Sequence, residues 1–147
     1  NMVLTNTGAA KAVAKALPEL EGKLTGNAVR VPTPNVSMAI LSLNFEKGTT
    51  KEKLNQHLRY MALHSTLRDQ IDFTTSTEVV STDMVGSRFA CIVDSSATIA
   101  VDNRSVLYLW YDNEFGYSCQ VVRIIQQMSG IKSDIYPKSS QPTERVG

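Results

Sequence analysis

The stretch from residue 36 to residue 45 constrains this chain most. Apolar side chains occupy both phases of a two-residue alternation: Val36, Met38 and Ile40 on one, Ala39, Leu41 and Leu43 on the other. A strand apolar on both sides calls for cover on both faces of its sheet. Strand-like periodicity returns from Ile71, with candidate strands at 78–82, 87–93, 98–101 and 105–110. Asp102-Asn103 is turn chemistry and predicts that the last two form a hairpin. A shorter strand, 28–31, is broken by Pro32 and Pro34.

Helical signals separate these runs. Residues 9–17 are alanine-rich, follow the capping candidates Asn6 and Thr7, and stop at Pro18. Thr49 with Glu52 three places on reads as a capping box, opening a helix to about Leu63 along Leu54, Leu58 and Met61. Residues 117–128 carry Val121, Ile124, Ile125 and Met128 on one side, with Gly130 as the stop. Helix, strands, helix, four strands, helix is an α+β order rather than an alternating α/β one.

Composition narrows the classes. A length of 147 residues is one domain's worth. The formal net charge of +1 gives no broad pull toward nucleic acid or an anionic membrane. No apolar run approaches a transmembrane span, and no charged-then-apolar leader opens the chain. Cys91 and Cys119 lie in apolar segments and read as buried thiols rather than a disulfide framework. No G-x-G-x-x-G occurs, so no dinucleotide-binding unit is expected within these residues. The abrupt start suggests an excised piece, and the aperiodic residues 132–147 a loosely ordered tail.

Three places could carry chemistry. Thr7-Gly8-Ala9-Ala10-Lys11 opens a helix, where free N–H groups and the helix dipole favour an anion; local sequence alone favours an ordinary capped helix. Arg30, in an apolar strand, needs a partner, either a phosphate held by its planar fork or a carboxylate of the domain. Trp110 to Ser118 is an aromatic corner in which the Asn113 amide suits another carboxamide and Tyr117 offers a flat ring, or else a packed corner with its amide satisfied by backbone. His57 and His64 fall at no triad or metal spacing and read as surface or partly packed side chains, so no metal site is expected.

Taken with Lys23-Leu24-Thr25-Gly26 and Arg30-Val31-Pro32-Thr33-Pro34-Asn35-Val36-Ser37, the Thr7 and Trp110 segments resemble phosphorylating glyceraldehyde-3-phosphate dehydrogenases in order and spacing, over roughly residues 5–128. The resemblance implies part of the C-terminal catalytic domain for residues 1–131, an α+β fold with a mixed, largely antiparallel sheet and helices packed on it, and the Rossmann domain outside this chain. It implies a glycolytic, cytoplasmic, homotetrameric oxidoreductase that uses NAD and inorganic phosphate to convert glyceraldehyde 3-phosphate to 1,3-bisphosphoglycerate, with neither nucleic acid nor membrane as partner. It implies that Thr7 and Gly8 bind phosphate, with Arg30 pairing a phosphate in the same region, so that one anion would sit between the turn and Arg30. Asn113 would hold the nicotinamide carboxamide, Tyr117 pack beside it and Glu114 support the corner. The family's Ser-Cys-Thr-Thr-Asn nucleophile segment and its base histidine are missing here, so no catalytic residue is expected, and NAD should bind weakly or not at all to this chain alone. An assembly or regulatory module, or an erythrose-4-phosphate dehydrogenase, are the alternatives.

Overall fold

The computed structural model describes residues 1–131, so the expected tail at 132–147 lies outside the described residues. Two compact units divide the chain, 1–34 and the remainder from Asn35. In the first, β1 (Val3–Asn6) pairs antiparallel with β2 (Asn27–Arg30), and α1 (Ala9–Ala16) lies between them in sequence. Pro18 stops α1 one residue short of the expected end and begins a short 3₁₀ turn, Pro18–Leu20. β1 itself was not legible: its four residues are too few to establish a period.

The second unit is a five-stranded sheet with the order β3-β7-β5-β4 and β6 paired to β7. Its strands are β3 (Ser37–Asn44), β4 (Ile71–Thr74), β5 (Cys91–Asp94), β6 (Ile99–Val101) and β7 (Arg104–Tyr111). All pairings are antiparallel except β4 with β5. Among the described residues two helices belong to this unit, α2 (Lys51–His64) and α3 (Phe115–Met128). This is the α+β arrangement expected, a mixed and largely antiparallel sheet.

β7 organises the sheet. Its eight residues pair along their whole length with β3, from Ser37↔Tyr111 to Asn44↔Arg104. Its other edge is shared end to end, β6 opposite residues 104–106 and β5 opposite Leu109 and Trp110. The β6–β7 hairpin turns where Asp102-Asn103 predicted it, with Asp102 at φ 55°. A small core forms beneath: Val36, Met84 and Ile92 are buried, with Val79, Phe89 and Trp110 packed against them.

Four expectations change. β3 is paired only with β7 among the described residues and leaves Ile40 60% and Leu41 40% exposed, so it is not covered on both faces within them. The helix α2 is capped by Thr50, whose Oγ1 accepts from the Lys53 amide at 3.3 Å, because the Thr49 amide is already spent on the Asp102 carbonyl at 2.8 Å. The segment 78–82 is not a strand. Ser76 and Asp83 side chains accept from the amides of Glu78 and Val80 at 3.3 and 2.9 Å, and a 3₁₀ turn, Ser81–Met84, follows. Local side-chain bonds there displace a ladder. Residues 87–90 likewise lie outside the strand that begins at Cys91.

The polar break after β7 proves to be a clamp. Asp112, 2% exposed, accepts four hydrogen bonds. Its Oδ2 takes the Gly86 amide at 2.9 Å and Asn35 Nδ2 at 3.1 Å. Its Oδ1 takes the amides of Glu114 at 3.0 Å and Phe115 at 2.7 Å, which caps the start of α3. Gly86 presents its amide from φ +81°, a conformation that side-chain-bearing residues rarely adopt. At the far end, Ile131 donates to the Gln126 carbonyl and Gly130 to that of Gln127, at 3.0 and 3.2 Å, the Schellman closure expected at Gly130.

The Gly86 amide, followed by Phe115, Asn35 and Glu114, outweighs burial and holds the Asp112 carboxyl below the usual carboxylate range. A depressed carboxyl stabilises the fold fully above its unfolded pKa, about 3.9, and that contribution is lost as pH falls through the lower folded value. Asp112→Asn turns one acceptor into a donor facing other donors. We expect a melting temperature several degrees lower at pH 7, with the gap from wild type closing as pH falls below about 5 through the depressed folded value; a gap independent of pH would refute the clamp. Gly116 is packed against backbone: a Cβ there would lie 2.8 Å from the Phe89 carbonyl oxygen and 3.1 Å from that of Ser87. Gly116→Ala should therefore destabilise by about 1–3 kcal/mol despite its better helix propensity, with an unchanged denaturant m-value. A neutral or stabilised variant would show that this approach is not close.

Candidate functional site

The corner beyond β7 presents Asn113 and Tyr117 at the surface. Asp112 fixes the backbone on the far side of Asn113 through the amides of Glu114 and Phe115. On the near side, the ladder sets Ser37 opposite Tyr111. The Ser37 hydroxyl then donates to Asn113 Oδ1 at 2.9 Å. Asn113 is exposed and its Nδ2 makes no hydrogen bond among the described residues. Tyr117 is 70% exposed on the first turn of α3. Glu114 contributes through its main chain: its carbonyl accepts from the Ser118 amide at 3.1 Å and from Ser118 Oγ at 2.7 Å. The corner offers a held amide with a free donor and, four residues on, an exposed aromatic ring, chemistry that fits a flat carboxamide-bearing ligand.

The segment that brings Ser37 here is itself held under strain. Val36 is β-branched, buried and at φ 74°, a conformation unusual for such a residue. Its amide donates to Asn35 Oδ1 at 2.7 Å, while Asn35 Nδ2 binds Asp112. The run 35–37 is thus fastened to the run 112–113 by two side-chain bonds on either side of the strained residue. Such conformations cost roughly 1–3 kcal/mol and persist where the surroundings over-determine them. Asn35, Ser37 and Asp112 were visible in the sequence only as motif letters. The one local signal was an aspartate two and three residues ahead of helix-start amides, the spacing of an N-cap.

A second carboxylate supports β7 from below. Asp94, at the end of β5 and 6% exposed, accepts from Trp110 Nε1 at 3.1 Å, Ser96 Oγ at 2.6 Å and the Ala97 amide at 3.3 Å. Burial pushes this carboxyl up, but the bonds from Ser96, Trp110 and Ala97 together carry it below its ordinary value. Trp110 is thereby fixed one residue before the Tyr111–Asp112 corner.

In the first unit, Thr7 Oγ1 accepts from the Ala9 amide at 3.2 Å, and Gly8 rather than Thr7 takes the cap position of α1. The first i→i−4 bond is made by Ala12 to the Gly8 carbonyl, so the amides of Ala10 and Lys11 lie in the unpaired first turn. Arg30 is exposed and pairs with no carboxylate among the described residues, so the expectation of a buried charge needing a partner does not apply: its strand belongs to a two-stranded sheet open to solvent. The register pairs Arg30 with Val3 and Asn27 with Asn6. Thr7 and Arg30 therefore stand at opposite ends of the ladder, about 13 Å apart along it.

The remaining candidates stand apart. His57 and His64 are exposed on α2, His64 against Tyr60 with ring centroids 5.2 Å apart. Cys91 and Cys119 are free and half-buried, and burial raises the Cys91 thiol, which keeps it protonated and unreactive. Among the described residues no group of His, Cys, Asp and Glu could hold a metal ion. A hollow of about 430 Å³ at the start of α2, lined by residues 48–53 with Ala100 and Asp102, contains none of the expected site residues.

Residues 1–113 match the family described as glyceraldehyde 3-phosphate dehydrogenase, C-terminal domain. A glyceraldehyde-3-phosphate dehydrogenase-like protein of Pseudomonas aeruginosa (strain UCBPP-PA14) is 67% identical over 138 residues, 94% of this chain and 30% of that protein. The glyceraldehyde-3-phosphate dehydrogenase of Schistosoma mansoni is 46% identical over 87% of this chain and 38% of its own length. Glyceraldehyde-3-phosphate dehydrogenase 2 of Mucor circinelloides f. lusitanicus is 46% identical over 85% of this chain and 37% of its own length. The chain thus spans between 30% and 38% of these relatives' own lengths, and Thr7, Arg30 and Asn113 lie within the matched residues 1–113. This chain belongs to the glyceraldehyde-3-phosphate dehydrogenase family, within its C-terminal domain.

Proposed function

We propose that this chain is the phosphate- and nicotinamide-contacting part of an NAD-dependent, phosphorylating glyceraldehyde-3-phosphate dehydrogenase. The observation that carries the reading is the Asn113 amide, held at one end by Ser37 and free at the other, in a chain of this family. The free donor and the Tyr117 ring fit a nicotinamide carboxamide. NAD, when bound, supplies the hydride acceptor for aldehyde oxidation. The part of Asn113 is to fix the ring's orientation, and that of Tyr117 is to shield it.

The α1 turn and Arg30 serve two phosphate positions in this reading. The unpaired amides of Ala10 and Lys11 with Gly8 suit inorganic phosphate. Arg30, at the other end of the ladder, suits the phosphate of the sugar substrate. The nucleophile and base are supplied by other residues of the enzyme, since Cys91 and the histidines do not offer a thiolate–imidazole pair. The enzyme is read as a cytoplasmic homo-oligomer. The exposed Ile40 and Leu41 on β3 provide an apolar surface for cover, and no helix among the described residues is long and apolar enough to cross a membrane.

Two measurements test this. Titrating the 147-residue chain with inorganic phosphate should shift the backbone amides of residues 8–11, and Arg30→Ala should leave those shifts unchanged. Silent amides would remove the phosphate reading, and loss of the shifts in the Arg30 variant would restore a single shared ion. Incubated with glyceraldehyde 3-phosphate, phosphate and NAD, the chain alone should form no thioester and reduce no NAD. Turnover near an ordinary enzyme's rate of roughly 10 s⁻¹ would overturn the assignment of the nucleophile to residues outside it.

A further inference from the structure

The two ends of the Asn113 amide are not equivalent. Oδ1 is taken by the Ser37 hydroxyl at 2.9 Å, while Nδ2, on an exposed residue, makes no hydrogen bond among the described residues. Neither partner is free to drift. Ser37 is the first residue of β3, in register with Tyr111, and follows the strained Val36, whose neighbour Asn35 is tied to Asp112. Asn113 lies between Asp112 and the two amides that Asp112 binds. An isolated asparagine amide presents donor and acceptor alike; this one presents a donor.

We propose that Ser37 is a positioning residue that turns the Asn113 NH₂ outward, so that the corner selects a ring substituent by its acceptor oxygen and is indifferent to that substituent's own NH₂. This rests on the reading of Asn113 as the nicotinamide contact and adds what the contact discriminates. A thiocarbonyl sulfur is a weaker acceptor than a carbonyl oxygen, whereas an acetyl group keeps the oxygen and lacks only the NH₂. The preference is for a carbonyl oxygen on the ring, whatever else that substituent carries.

The test is a titration of the 147-residue chain with NAD, its 3-acetylpyridine analogue and its thionicotinamide analogue, followed by the backbone amides of residues 114–117. We expect NAD and the acetylpyridine analogue to bind within about two-fold of each other and the thionicotinamide analogue about five-fold more weakly, the loss of one hydrogen bond. In Ser37→Ala the amide can rotate, so the three affinities should converge to within about two-fold, and Ser37→Thr should restore the discrimination. A merely structural role would lower the melting temperature of Ser37→Ala without changing the ratios, and that result overturns the proposal. So does a wild-type chain that favours NAD over the acetylpyridine analogue by five-fold or more. Asn113→Ala separates the two levels. If it binds NAD as wild type does, the nicotinamide reading itself fails. If it weakens NAD while Ser37→Ala keeps the ratios, only the role of Ser37 falls.

Discussion

The second unit depends on one buried carboxylate accepting four hydrogen bonds. Taking the Asp112 charge out of water would be costly without partners. Donors from three separate segments meet it: Asn35 ahead of β3, Gly86 ahead of β5, and Glu114 and Phe115 at the start of α3. Each segment is short of local reasons to adopt its conformation. Val36 is strained, Gly86 sits at positive φ, and α3 lacks a capping side chain at its own first position. The carboxylate supplies what they lack, and in doing so fixes Asn113 from both sides.

β7 anchors that corner to the sheet. It is paired on both edges, with β3 along one and β6 and β5 along the other, so its end is among the better-held backbone of the sheet. The Asp94–Trp110 bond adds a side-chain tie just before the corner. Ser37 and Tyr111 are register partners, and this is why a hydroxyl from β3 reaches an amide seventy-six residues later in the chain. Binding residues carried at the ends of a rigid sheet are held to tighter geometry than residues on free loops. By contrast, the Thr7 turn and Arg30 sit on a two-stranded sheet of four-residue strands, a size that is marginal by itself.

Apolar surface is distributed unevenly. Ile40 and Leu41 on β3, and Val121, Ile124 and Met128 along α3, are exposed in a chain whose sequence pattern asked for cover at these positions. The relatives of which this chain spans little more than a third are long enough to provide it.

The sequence by itself determined the α+β class, the three helices to within two residues at most ends, the Asp102-Asn103 hairpin, the helix stop at Gly130 and the family. These follow from local chemistry: period, proline and glycine geometry, and motifs that occupy a few consecutive positions. The tertiary structure decided the rest. Thr49 loses the α2 cap to Thr50 because Asp102, fifty-three residues on, takes its amide. Segment 78–82 gives up its strand pattern to local side-chain bonds. Thr7 and Arg30, close in motif order, are set at opposite ends of a ladder by a register that no local pattern encodes. Asp112, which reads as one polar residue in a turn, becomes the clamp because its donors arrive from positions 35 and 86 as well as from its own turn. Such long-range hydrogen bonds carry no period or spacing, and only the folded chain reveals which end of the Asn113 amide is left free.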